Sequence, residues 1–221
     1  MNNKTESLKE KLKQALSSTA RVISDDLGKK TKLDNQKKLD KLEFFELENL
    51  NSKSDFLKAR ADTDSQALKR KFSDEEIFKK NLPSGSSCKS LYTIAEKIRY
   101  ETLGSKMLKG IQKNLKDNYI QINKQKRKNQ LKSKDDVSVL EAFELYMLKN
   151  FHDIELNSLT SKMLNFWEKD FDKSIFDHIE FLKKNLESQK IYGARFSKIL
   201  QEMDIFQSEE NEGEKDENQD D

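Results

Sequence analysis

Apolar residues recur at helical spacing along most of this chain. Leu8, Leu12, Ala15, Leu16, Thr19, Ile23 and Leu27 form one stripe behind a Ser7-x-x-Glu10 capping box. That pattern predicts a first helix over residues 7–27, stopped by Gly28. Residues 29–57 are polar and Lys-rich, with one apolar island from Leu42 to Leu47, and read as a poorly ordered spacer. The island is equally compatible with a short strand and a helical turn. A helix then begins near Arg60 with Ala67 and Leu68 inward, and Ser73-x-x-Glu76 starts a short one ending at Leu82-Pro83. After the loop-like Ser84-Gly-Ser-Ser87, the residues Leu91, Ile94, Ala95, Ile98, Leu108, Ile111 and Leu115 predict a single long helix to about Tyr119.

Four further amphipathic stretches lie in residues 136–206, lined in turn by Val139–Phe151, Leu156–Trp167, Ile175–Leu186 and Phe196–Phe206. Their connections are short, which favours antiparallel neighbours in a bundle. The expected fold is therefore all-α. It has a long central helix, a carboxy-terminal antiparallel helix bundle and a disordered acidic tail at 207–221. One helical domain is expected over 1–206.

Two glycines stand out in the long helix. Gly104 and Gly110 each cost about 1 kcal/mol against Ala inside a helix. Close approach of another element is the usual compensation.

Composition narrows the function. No apolar run approaches the roughly 18 residues of a membrane-spanning helix. The lone Cys88 makes no intramolecular disulfide, which suits a reducing cytoplasm. The net charge of +2 hides an asymmetry. Residues 207–221 hold eight acids against Lys215, a net of −7, which leaves +9 on residues 1–206. A basic body could meet nucleic acid, but the cations are 36 Lys against 6 Arg. Readers of bases and phosphates favour the planar fork of Arg. The basic connector Lys124–Lys134 lacks interleaved aromatics for base stacking and reads as solvated.

The chain carries few recognisable chemical motifs. There is no Gly-x-x-x-x-Gly-Lys-Ser/Thr loop to cradle phosphates. His152 and His178 with one cysteine make no dense metal cluster; His152 sits by a helix end, where a cation would suit the dipole. Cys88 lies in a Ser-rich loop with no fixed His partner, and Met163, Phe166 and Trp167 read as core. Lys97 and Glu101 have the spacing of an i,i+4 surface pair.

The pattern Glu96-x-x-Arg99-x-Glu101-x-Leu103-Gly104, followed by Gly110 and Asn114-Leu115, resembles the amino-terminal domain of the T subunit of aerobic cobaltochelatase. The block Arg60-Ala61-Asp62 through Ser65, Ala67-Leu68 and Arg70 to Asp74 is similar to a second block of that family, although the family has Gly where Ala61 stands. The resemblance spans most of residues 5–206, with these two blocks its specific parts. It implies a subunit of the ATP-dependent enzyme that inserts cobalt into hydrogenobyrinic acid a,c-diamide in cobalamin biosynthesis. Its partners would be an AAA+ ATPase subunit and the large chelatase subunit. ATP, magnesium and cobalt would be handled on those subunits, with no cofactor, metal ligand or catalytic residue in this chain.

Arg60, Asp62, Arg99, Glu101, Gly104 and Gly110 are then the candidates for packing or partner contact. The family's carboxy-terminal von Willebrand type domain is expected to be absent, and the acidic residues 207–221 look like the linker that leads to it. Another reading of the same residues is a helical scaffold, or a nucleic-acid-associated protein, with a basic body and an acidic tail.

Overall fold

A computed structural model describes residues 2–24, 52–125 and 131–203, with side chains of the first helix from Glu10 onward. Every regular element among them is helical: α1 (Asn2–Ile23), α2 (Lys53–Phe72), α3 (Glu75–Asn81), α4 (Ser86–Met107), α5 (Lys109–Gln125), α6 (Val139–Phe151), α7 (Ser158–Asn165), α8 (Glu168–Ile175), α9 (Ile179–Lys184) and α10 (Gln189–Gln201). Short 3₁₀ turns occupy Lys134–Asp136 and Phe176–His178. The described residues are all-α, as the periodicity predicts. The apolar island at Leu42–Leu47, Gly28 and the acidic tail lie outside the described residues.

The boundaries correct several expectations. α1 is already helical at Asn2, so Ser7 is not its cap. α2 starts at Lys53, not Arg60, and residues 53–57 are its first turns instead of spacer. Its signal is Ser52-x-x-Asp55: Ser52 Oγ accepts from the Asp55 amide and the Asp55 carboxylate accepts from the Ser52 amide. α3 is capped by Asp74, which accepts from the Glu76 and Ile77 amides, while Ser73 is the extended residue that closes α2. Leu82, ahead of Pro83, is extended as that position demands. Gly85 then turns the chain with φ of 80°, a conformation suited to glycine, and α4 begins at once. Cys88 is therefore in the first turn of a helix, not in a loop; it is buried, its thiol 3.7 Å from the Leu200 carbonyl.

The single long helix is in fact two. Leu108 is extended (φ −139°, ψ 119°), its amide bonded to the Gly104 carbonyl, and α5 folds back from that corner. Tyr119 thereby reaches Glu101, and Lys97 lies over the Tyr119 ring at 5.2 Å. The apolar face shifts at the corner: at helical spacing Leu108, Ile111 and Leu115 lie well round the helix from Leu91, Ala95 and Ile98, a sign the single-helix reading passed over. Likewise the third carboxy-terminal stretch divides into α8 and α9, with His178 in the 3₁₀ turn between them.

α4 is the axis of the molecule, packed by α2, α5, α6 and α10. α2 packs across it, with Ser65 opposite Glu101 and Leu68 opposite Gly104. α10 runs antiparallel, with Tyr192 donating to the Ala95 carbonyl at 3.1 Å and Cys88 facing Leu200. One continuous core extends from Ala20 to Met203. Its carboxy-terminal half is aromatic: Phe143 meets Phe171 and Phe196 edge-on, and Tyr146 and Trp167 lie against Phe171. Met163 is buried there, and Phe166 and Trp167 pack at its edge.

Candidate functional site

The residues singled out from sequence fall into a buried group on α4 and a more open group on α2 and α5. Arg99 is wholly buried. Its Nε donates to both Glu96 oxygens at 3.1 and 3.2 Å, one turn back on the same helix. Nη1 donates to the Leu186 carbonyl at 3.0 Å, and Nη2 to the Phe72 carbonyl at 2.7 Å and to Ser73 Oγ at 3.2 Å. Phe72 ends α2, and Leu186 follows the end of α9. One guanidinium thus satisfies the last carbonyl of α2, where a cation is favoured, and a turn carbonyl just beyond α9. Gln189 closes the network: its Nε2 donates to Glu96 Oε2 and the Asp74 carbonyl, and its Oε1 accepts from the Asp74 amide. Burial pushes the Glu96 carboxyl above its usual range, with Arg99 and Gln189 opposing.

Glu101 is also buried, which overturns its reading as half of a surface pair. It accepts from Tyr119 Oη at 2.6 Å and from Ser65 Oγ. Its carboxyl is held up by burial against the pull of Lys97, Ser65 and Tyr119. Lys97 makes its ion pair with Glu144 of α6 at 3.6 Å instead. Burial alone would lower its ammonium, but Glu101, Glu144 and Asp62 outweigh burial and raise it. Asp62 is half-buried beside this cluster, and burial raises its carboxyl despite Lys58 and Lys97. Asp64 is buried one turn along from the exposed Arg60, accepts from Asn114 Nδ2 at 2.7 Å, and is raised by burial in turn.

The two glycines have different explanations. A Cβ on Gly104 would stand 2.4 Å from both δ-carbons of Leu68 and 2.9 Å from its γ-carbon. Gly104 is the close approach of α2 to α4. Gly110 has open space around it in the first turn of α5, so no such contact requires it.

His152 caps the end of α6 as expected, but not as a cation. Its Nε2 lies 3.2 Å from Thr102 Oγ1, and its ring meets Tyr119. Burial, helped by the Lys97 charge, lowers it to about 4 against the opposing Ile98 carbonyl, so the ring is neutral at neutral pH.

Sequence reasoning missed Gln189, Tyr119 and the backbone acceptors of Arg99, and it quoted Ser65 in the second block without choosing it. Glu96 and Asn114 stood in the quoted pattern but were not chosen. The i,i+3 spacing of Glu96 and Arg99 was a usable signal; nothing local pointed to Gln189, 93 residues from Glu96.

These arrangements join helices; they do not present a nucleophile or an acid–base pair to a cleft. Among the described residues no group of three His, Cys, Asp or Glu side chains could hold a metal ion. No helix among them is long and apolar enough to cross a membrane. No curated protein and no solved structure matches the chain. A family model described as cobalamin biosynthesis protein CobT matches residues 6–221, nearly the whole sequence. The chain therefore belongs to the CobT family, and with it to the cobaltochelatase of cobalamin biosynthesis.

Proposed function

We propose that this chain is an assembly subunit of an ATP-dependent cobaltochelatase acting on hydrogenobyrinic acid a,c-diamide, and that it docks the AAA+ ATPase subunit instead of handling metal or nucleotide. The observation that carries this reading is where the family-like residues lie. Glu96, Arg99, Glu101 and Gly104 are buried and engaged with other parts of the same chain. Groups so placed hold a platform rigid and are shielded from a substrate or a phosphate.

The platform ends in an exposed corner. Met107 and Leu108 are 40% and 46% exposed, next to Lys106, Lys109 and Gly110 on the surface. Two adjacent apolar side chains on a rigid helix end are suited to fill a pocket on a partner. The large chelatase subunit completes the complex, with cobalt, ATP and magnesium on the other subunits. The single cysteine and the lack of any apolar spanning helix among the described residues favour a cytoplasmic complex.

Reconstitution tests this. Cobalt insertion by the large and AAA+ subunits should fall to background when this chain is left out. Full insertion without it, or insertion by this chain alone, would contradict the proposal.

A further inference from the structure

Away from that corner, α9 and α10 enclose a shallow groove on the surface. Its floor is apolar: Phe181, Ile191 and Ala194, with Ile191 47% and Phe181 37% exposed. Its rim is Lys190, Arg195 and Lys198, and no carboxylate lines it. On α10, positions 190, 191, 194, 195 and 198 fall on one strip of the helix. The opposite strip, with Tyr192, Phe196 and Ile199, is in the core, so α10 is apolar on both sides. Arg195 lies over the Phe181 ring at 4.9 Å, which keeps its charge at the edge of the apolar floor. Among the described residues, neither Lys190 nor Arg195 is paired with a carboxylate, and Lys198 has only the exposed Glu202 at 3.7 Å.

We propose that this groove docks an acidic segment of a partner protein that carries apolar anchor side chains. Lys190 and Arg195, with Lys198 shared with Glu202, select an anionic occupant. The apolar floor between two helices selects side-chain anchors, as in helix-in-groove recognition. A nucleic acid would gain from the cations but not from Ile191 and Ala194, and Phe181 is covered by Arg195 where a base would stack. An anionic membrane would call for a broader apolar face than these side chains offer. The inference stands independently of the chelatase reading, because it uses only the groove.

The test is fluorescence anisotropy on the full chain. The probe is a labelled peptide with a leucine and a phenylalanine one helical turn apart among glutamates. Saturable binding is expected that weakens as salt rises. It should fall by about tenfold or more in Arg195→Glu and in Ile191→Asp, both at exposed or half-exposed sites that leave the helical circular dichroism unchanged. A version with lysines for glutamates should not bind. No saturable binding, or equal binding by both folded variants, overturns the proposal. So does tighter binding of a thymidine oligonucleotide or of phosphatidylserine vesicles. Binding seen only after deletion of residues 207–221 overturns it too, by giving the groove to the chain's own acidic tail.

Discussion

Replacing Arg99 with Ala removes a cation that holds three parts of the chain together. Its guanidinium contacts Glu96 on α4, Phe72 and Ser73 at the end of α2, and Leu186 beyond α9. The variant leaves Glu96 buried without its counter-charge and strips a donor from two backbone carbonyls. Breaking a buried pair from one side costs about 3–5 kcal/mol, against about 5–15 kcal/mol for a typical whole domain. Glu96→Gln breaks the same pair from the other side and should cost a similar amount, because the wholly buried Arg99 keeps its charge without a counter-charge. The double variant Glu96→Gln with Arg99→Met removes both charges and fills the space. It is expected to be more stable than the two single costs together imply, by about 1–3 kcal/mol of coupling. Urea unfolding with the slope checked for constancy supplies each value. An Arg99→Ala cost below about 1 kcal/mol at unchanged slope would refute the assignment of Arg99 as the tie between these helices. Strict additivity in the cycle would refute the coupling.

The remaining predictions use the same structure. Gly104→Ala should lower the melting temperature, because overpacking against Leu68 costs about 1–3 kcal/mol and exceeds the roughly 1 kcal/mol gained in helix propensity. Gly110→Ala, with open space around it, should instead be neutral or stabilising by up to about 1 kcal/mol; a thermal melt of the pair reads the opposite signs. His152 is lowered to about 4 in the folded chain, so its contribution is present above about pH 6.5 and is lost as pH falls from there through 4. That contribution amounts to at most about 3 kcal/mol. Urea midpoints for His152→Asn should show a flatter fall over that window than wild type, and parallel curves would contradict the assignment. Tyr119→Phe removes a donor from buried Glu101 and should cost about 1–3 kcal/mol, measured by the same unfolding.

Helix content was legible from apolar spacing, and the inward faces only in part: Ala15 and Thr19 of the first stripe and Leu108 of the long one are exposed. Leu91, Ala95, Ile98, Ile111 and Leu115 are buried, while Ile94 of the same stripe is half-buried. The corner at Leu108 carries no proline, and the shift of the apolar face between Ile98 and Leu108 was the local sign that the single-helix reading passed over. The start of α2 was hidden because Ser52 and Asp55 lie in a Lys-rich stretch that composition assigned to the spacer. Gly104 was rightly suspected of a close approach, while Gly110 was suspected for the same reason and has no such contact. The candidate site was half visible. Glu96, Arg99 and Glu101 share one helix and can be paired by spacing, but their burial depends on α2, α5 and α10. Tertiary contacts of that range leave no local trace. His152 shows the same limit: its position at a helix end was readable, its loss of charge through burial was not.

Association with the AAA+ ATPase subunit tests the central claim most directly. Purified wild-type chain and the double variant Met107→Asp with Leu108→Asp would be run with that subunit by size-exclusion chromatography with light scattering. Both changes lie at the exposed corner, so the variant's helical circular dichroism and melt should match wild type. The account predicts a stable complex for wild type and none for the folded variant. Absence of any complex with the wild-type chain, or an equal complex with the variant, would contradict it.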